Sequence, residues 1–144
     1  MKQFFQVSGF ILLSASLIFA SNANAASSSA AQEKSARTPA QQKIDSQLLY
    51  ALYRQRGEAE AKGVPATMEL RVKFDEKGRA IVSIRARVNR KLLLKIKRLG
   101  GSVTSSSEEY RDIQAHLALE RLEELTALKD VIAIMPADEA MTDK

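Results

Sequence analysis

Two stretches of this chain repeat the same order of apolar residues, and that repeat limits the folds open to it more than any other feature. Leu93, Ile96 and Leu99 are followed by Val103, and Leu122, Leu125 and Leu128 are followed by Val131. Each triplet has the spacing of one helix face, and each is succeeded by a strand. Upstream of the first triplet, Val82, Ile84, Ala86 and Val88 alternate with Ser83, Arg85 and Arg87. Upstream of the second, Ile113, Ala115 and Leu117 alternate with Gln114 and His116. This is the period of a half-buried strand, so the order is strand, helix, strand, strand, helix, strand.

Local signals fit that order. Asn89 is placed to cap the first helix and Gly100-Gly101 to close it, while Glu108-Glu109 mark a turn between the middle strands. Two strand-helix-strand units joined through such a turn predict an α+β domain, a ferredoxin-like split β-α-β sandwich with two helices on one face of an antiparallel sheet. Two elements precede it. Ile44, Leu48, Leu49 and Leu52 predict an N-terminal helix ended by Gly57, followed by a linker from Glu58 to Pro65. Met68 to Phe74 alternates apolar and charged residues and predicts an extra strand, turning at Asp75-Glu76-Lys77-Gly78 into a hairpin with the Val82–Val88 strand. That strand is internal in the predicted sheet, so its hairpin partner has no full edge to occupy. It is expected to pair with a protruding part of the strand or to replace it in part.

The first 25 residues read as a secretory signal peptide: Lys2, an apolar run from Gly9 to Ala20, and Ala23-Asn24-Ala25 before the cleavage point. The run is shorter than the roughly 20 residues a spanning helix needs. A soluble product, secreted or periplasmic, is the expectation, with no cysteine and hence no disulfide. The expected organisation is a flexible Ala- and Ser-rich leader over 26–40, the helix and linker over 41–65, the sandwich over 66–137 and a polar tail over 138–144.

The net charge of +5 is unevenly spread. From Lys77 to Ser107 there are nine Lys or Arg and no acid, whereas Glu108 to Lys144 holds ten acids and four bases. The Lys77–Arg98 stretch suggests a polyanion or membrane-surface module, but it has no interleaved aromatic on which a base would stack, which argues against nucleic acid. Catalytic signals are scarce. His116, the single histidine, is expected to point outward as a solvated side chain, with no second histidine, cysteine or nucleophile elbow to join it. Glu120, Glu123 and Glu124 face Lys91, Lys95, Lys97 and Arg98 across the two helices, where they are expected to pair. Tyr50 and Tyr53, with Arg54 and Arg56, form either a contact patch or a face resting on the domain. No metal, cofactor or catalytic residue is assigned, and a non-enzymatic role is expected.

The stretch from Leu92 to Pro136 resembles the propeptide-like domains that precede the catalytic domain of secreted subtilisin-like serine proteases. The residues that carry the resemblance are Leu99-Gly100-Gly101, Leu117-Ala118-Leu119, the Leu122–Leu128 stripe, and Val131, Ile134 and Pro136; Lys43–Leu49 is similar to the leader helix of such precursors. The resemblance covers roughly residues 43–137 and implies the same sandwich fold. It further implies that the open sheet face packs on two helices of the protease, and that the segment after the last strand lies in the substrate cleft like a cleaved product. On this chain the protease-binding residues would be Glu108 and Glu109, opposite the positive ends of the enzyme's helices, and the tail residues Met141, Thr142, Asp143 and Lys144. Met141 would stand four positions from the cleavage point, where an apolar side chain is favoured. With no catalytic domain in the chain, the resemblance implies a free-standing inhibitor or folding aid acting in trans, or the remnant of a precursor.

Overall fold

The computed structural model describes residues 30–137. A helical segment over 30–35 and a short 3-10 turn, Gln41–Lys43, lead into helix α1 (Ser46–Arg56). After a long connection come strand β1 (Ala80–Ala86), helix α2 (Arg90–Arg98), strands β2 (Ser102–Ser107) and β3 (Asp112–Leu117), a 3-10 turn running into helix α3 (Leu122–Thr126), and strand β4 (Val131–Pro136). The four strands form one open antiparallel sheet in the order β2-β3-β1-β4. This is the α+β split β-α-β arrangement compatible with a ferredoxin-like domain, as the two-unit repeat predicts.

The repeat works because its inward residues meet. Val82 and Ile84 of β1 stand opposite Ala115 and Ile113 of β3, and all four are fully buried. Leu92 and Ile96, one turn apart on α2, and Leu122 and Leu125 on α3 join the same apolar cluster. Asn89 caps α2 by accepting the Leu92 amide at 2.9 Å, which satisfies one of the free N–H groups at the helix start. Gly100, at φ 80°, turns the chain out of α2 towards β2. Lys95 of α2 and Glu124 of α3 pair at 2.7 Å, so the expected meeting of charges occurs at this one pair, whereas Glu123 and Glu120 bind Arg56 and Gln55 of α1 instead.

Three expectations need correction. The stretch over 30–40 is not a flexible leader; it is helical at 30–35, and Glu33 is only 7% exposed. Nor is α1 set apart from the main body by its linker. Leu48, Leu49 and Leu52 are fully buried in the common core, where each contributes about 1.5–3 kcal/mol. Val64, within the linker, is buried there too. Just before α1, Ile44 bridges Ile134 in parallel, and the Asp45 amide donates to the Ile134 carbonyl at 2.8 Å, covering part of the outer edge of β4.

The third correction concerns Met68 to Phe74, which is not a strand. Its alternation is real: Met68, Leu70 and Val72 pack against the core while the charged residues between them are exposed. Its backbone bonds elsewhere, because β3 and β4 already occupy both sides of β1. The Arg71 amide donates to Gln47 Oε1, and the Arg54 guanidinium binds the carbonyls of Pro65, Ala66 and Met68. One bridge to the sheet survives, Phe74 to Ala80, with the Ile81 amide donating to the Lys73 carbonyl at 2.9 Å. It sits where β1 protrudes beyond the last β4 pairing, Val82 with Pro136. The hairpin turn forms as expected, with Gly78 at φ 74°.

Candidate functional site: the open sheet face and its ends

With α2 and α3 on one side, the other side of the sheet carries the alternate residues. Ile81, Ser83 and Arg85 of β1 stand opposite His116, Gln114 and Asp112 of β3, and Met135 and Ala133 of β4 flank Ser83 and Arg85 on the other side. The face is mixed in character. Ser83 Oγ donates to Asp112 Oδ1 at 2.5 Å and Gln114 Nε2 to Asp112 Oδ2 at 2.7 Å, while Met135 of β4 is an exposed apolar side chain (36%). Phe74, beside the protruding end of β1, and Tyr110, in the β2–β3 turn, are also exposed.

His116 points outward as expected, but it is not simply solvated. Its Nδ1 lies 3.0 Å from Asp75 Oδ2, and its side chain is 25% exposed. Asp75 is held from several directions: its Oδ1 accepts the Lys77 and Arg79 amides and its Oδ2 the Arg79 guanidinium at 2.8 Å. Partial burial works against the charged carboxylate, but the Arg79 amide and guanidinium, His116 and the Lys77 amide outweigh it and hold Asp75 well below the usual carboxylate range. The arrangement pins the 75–79 turn against the sheet. Among the described residues no group of three or more His, Asp or Glu side chains is placed to hold a metal ion, and no helix is long and apolar enough to cross a membrane.

Glu108 and Glu109 lie exposed in the β2–β3 turn. Met141, Thr142, Asp143 and Lys144 lie outside the described residues, as does the expected signal peptide. The turn and the exit of β4 stand at opposite ends of the sheet: Asp112 pairs with Arg85 near the end of β1, whereas Pro136 pairs with Val82 near its start. The Ala137 amide still donates to the Ile81 carbonyl at 3.0 Å, so the chain is held in register up to that point.

The nine-cation run does not form one patch. Arg79 is bound to Asp75, Arg85 lies on the open sheet face, and α2 carries Arg90, Lys91, Lys95, Lys97 and Arg98 in the helix layer behind the sheet. Sequence reasoning missed a different polar cluster, in which Glu33 binds Arg37 under Tyr50 and Tyr53. The four-residue spacing of Glu33 and Arg37 was its only local signal. The two tyrosines settle as a buried face of α1, 8% and 2% exposed.

No family model, curated protein or solved structure matches the chain, so the functional reading rests on its own residues.

Proposed function

We propose that this protein is a secreted, non-enzymatic protease-binding domain that inhibits, or assists the folding of, a subtilisin-like serine protease. The open sheet face would pack on the enzyme, and residues 138–144 would lie in its substrate cleft as an added extended strand. The observation that carries this reading is the position of Ala137. The last strand delivers the chain at one end of an uncovered sheet face, while Glu108 and Glu109 project from the turn at the other. On β1 these ends lie at Ile81 and Ala86, five residue steps apart, a span of about 17 Å at the rise of a strand. A partner touching both must therefore cover the intervening face. Met135 supplies exposed apolar area there, and Ser83, Gln114 and Asp112 supply polar contacts.

The test is an activity titration of subtilisin-like proteases from the same source with residues 26–144 and with a second chain ending at Ala137. Inhibition by the first that weakens strongly in the second is the expected result. If neither chain inhibits any such enzyme or speeds its refolding, the reading is wrong.

A further inference from the structure

We propose that the cleft where β1 runs out, at the β2–β3 turn, is a binding site for a small phosphate or sulfate monoester. The cleft has a volume of about 430 Å³ and lies between the end of β1, the β2–β3 turn and the loop from α3 to β4. Its walls carry Arg87, Arg111 and Lys129, with Val88 and Ile132 as apolar surface. The three segments are tied together by backbone and side chain. The Ala86 amide donates to the Arg111 carbonyl at 2.9 Å, the Arg87 amide to the Asp130 carbonyl at 2.8 Å, and Asn89 Nδ2 to Asp130 Oδ2 at 3.0 Å. The cations are thus carried on a braced frame.

Two observations point to a ligand. First, Arg111 sits at φ 53°, the one non-glycine residue in the left-handed region among the described residues. Glycine would make this turn without steric cost, whereas an L side chain is disfavoured there. The strained position keeps a guanidinium on the cleft wall. Second, among the described residues the exposed side chains of Arg87, Arg111 and Lys129 make no hydrogen bond or ion pair, so all three cations gathered on this cleft are open to an anion. Two acids share the cleft. Asp130 is engaged by Asn89 and Glu108 lies at the exposed turn, so three cations against two carboxylates leave a positive excess. Guanidinium groups bind tetrahedral oxyanions through paired N–H donors, and the apolar wall suits the ester's organic group.

This inference does not depend on the protease reading, and it is tested without an enzyme. The protein would be titrated with phenyl phosphate, phenyl sulfate, inorganic phosphate and benzyl alcohol at low ionic strength, following backbone amide shifts. Shifts from the phenyl esters should cluster at 87–88, 108–111 and 129–132, with several-fold weaker binding of inorganic phosphate and none of the alcohol. Arg111→Gln should weaken phenyl phosphate at least tenfold, Glu108→Gln should tighten it, and Lys97→Gln on the outer face of α2 should change nothing. Arg111→Gly should lose binding equally while raising the thermal midpoint, which separates the ligand role from any structural one. Shifts spread over the α2 lysines, weaker binding in Glu108→Gln, or full affinity in Arg111→Gly would each overturn the proposal, as would the absence of shifts altogether.

Discussion

Arg37 closes on Glu33 through two parallel hydrogen bonds of 2.8 Å, Nε to Oε1 and Nη2 to Oε2, with side chains only 9% and 2% exposed. Tyr50 and Tyr53 donate to the same carboxylate from α1, and Arg37 also donates to Ser46 Oγ at 3.1 Å. The guanidinium lies 5.7 Å from the Tyr50 ring centre. A segment with the composition of a linker is thereby locked to the first helix. Removing one member of such a pair leaves the other charge buried, which typically costs about 3–5 kcal/mol.

Glu33→Gln and Arg37→Met should each therefore lower unfolding free energy by several kcal/mol in urea titrations. The double variant should lose less than the sum of the two, because neither charge is then stranded. A loss below about 1 kcal/mol in both single variants would mean that the segment is not part of the cooperative unit.

Acid should destabilise the fold through the same carboxylate. Burial raises the Glu33 pKa, but the Arg37 guanidinium and both tyrosine hydroxyls outweigh it and leave the group below its ordinary 4.5. Asp75 is lowered from 3.8 by the contacts described above. Groups depressed in the folded state contribute stability that is present above their ordinary values and lost as pH falls through the folded ones. Stability should thus be level above pH 4.5 on their account and decline below it, less steeply in Glu33→Gln. On the alkaline side, burial and the Glu33 charge push Tyr53 up to about 12. Its contribution should be complete below 10.0 and disappear as pH rises through about 12, with Tyr53→Phe flattening that limb of a pH–stability curve.

Two adjacent glycines should respond to alanine for different reasons. Gly100 has φ 80° and open space around its missing Cβ, so Gly100→Ala meets only backbone strain, about 1–2 kcal/mol. At Gly101 a Cβ would stand 2.8 Å from Ile96 Cγ2, 2.9 Å from the Ile96 carbonyl oxygen and 3.0 Å from Leu117 Cδ1. There β2 must separate from α2, and the cost falls in the range of about 1–3 kcal/mol for overpacking. Leu117→Ala is itself costly because Leu117 is fully buried, but Gly101→Ala should cost less in that background than alone, whereas the cost of Gly100→Ala should be the same in both. Thermal melts of the three single variants and the two doubles would separate the two effects.

The parts of the fold legible in the sequence were those set by period and punctuation. The repeated stripes, the Asn89 cap, the glycines after α2 and the alternation of β1 and β3 specify their elements locally. Met68 to Phe74 misled because a period of two reports one buried side and not a hydrogen-bonded ladder, and the competing partner of β1 lay at Val131–Pro136, far along the chain. The cluster at Glu33 was hidden by composition: Ala, Ser and Gln around it signal a linker, and the tyrosines that bury it are 17 and 20 residues away. Of the candidate site, the turn at Glu108 was readable, whereas the gathering of Arg87, Arg111 and Lys129 depends on tertiary pairing.

Leu52 decides whether α1 and the sheet unfold together. Its side chain is fully buried, and α1 is joined to the rest by Arg56 on Glu123 at 3.0 Å, by Gln55 on Glu120 and by the Ile44–Ile134 bridge just before it. The two surface polar contacts contribute little, about 0–1 kcal/mol each, so the helix is held chiefly by its buried leucines and the buried Ile44 before it. Leu52→Ala should cost about 2–5 kcal/mol, depending on how far the cavity collapses. If α1 shares the core, as its contacts indicate, the loss should appear equally in the exchange protection of β1 and β3 amides, which open only on global unfolding. Were α1 an independent docking element, its own amides would exchange faster while those of Val82, Ile84 and Ile113 kept their protection. Hydrogen exchange on the single variant distinguishes these outcomes, and faster exchange confined to α1 would refute the single-core description.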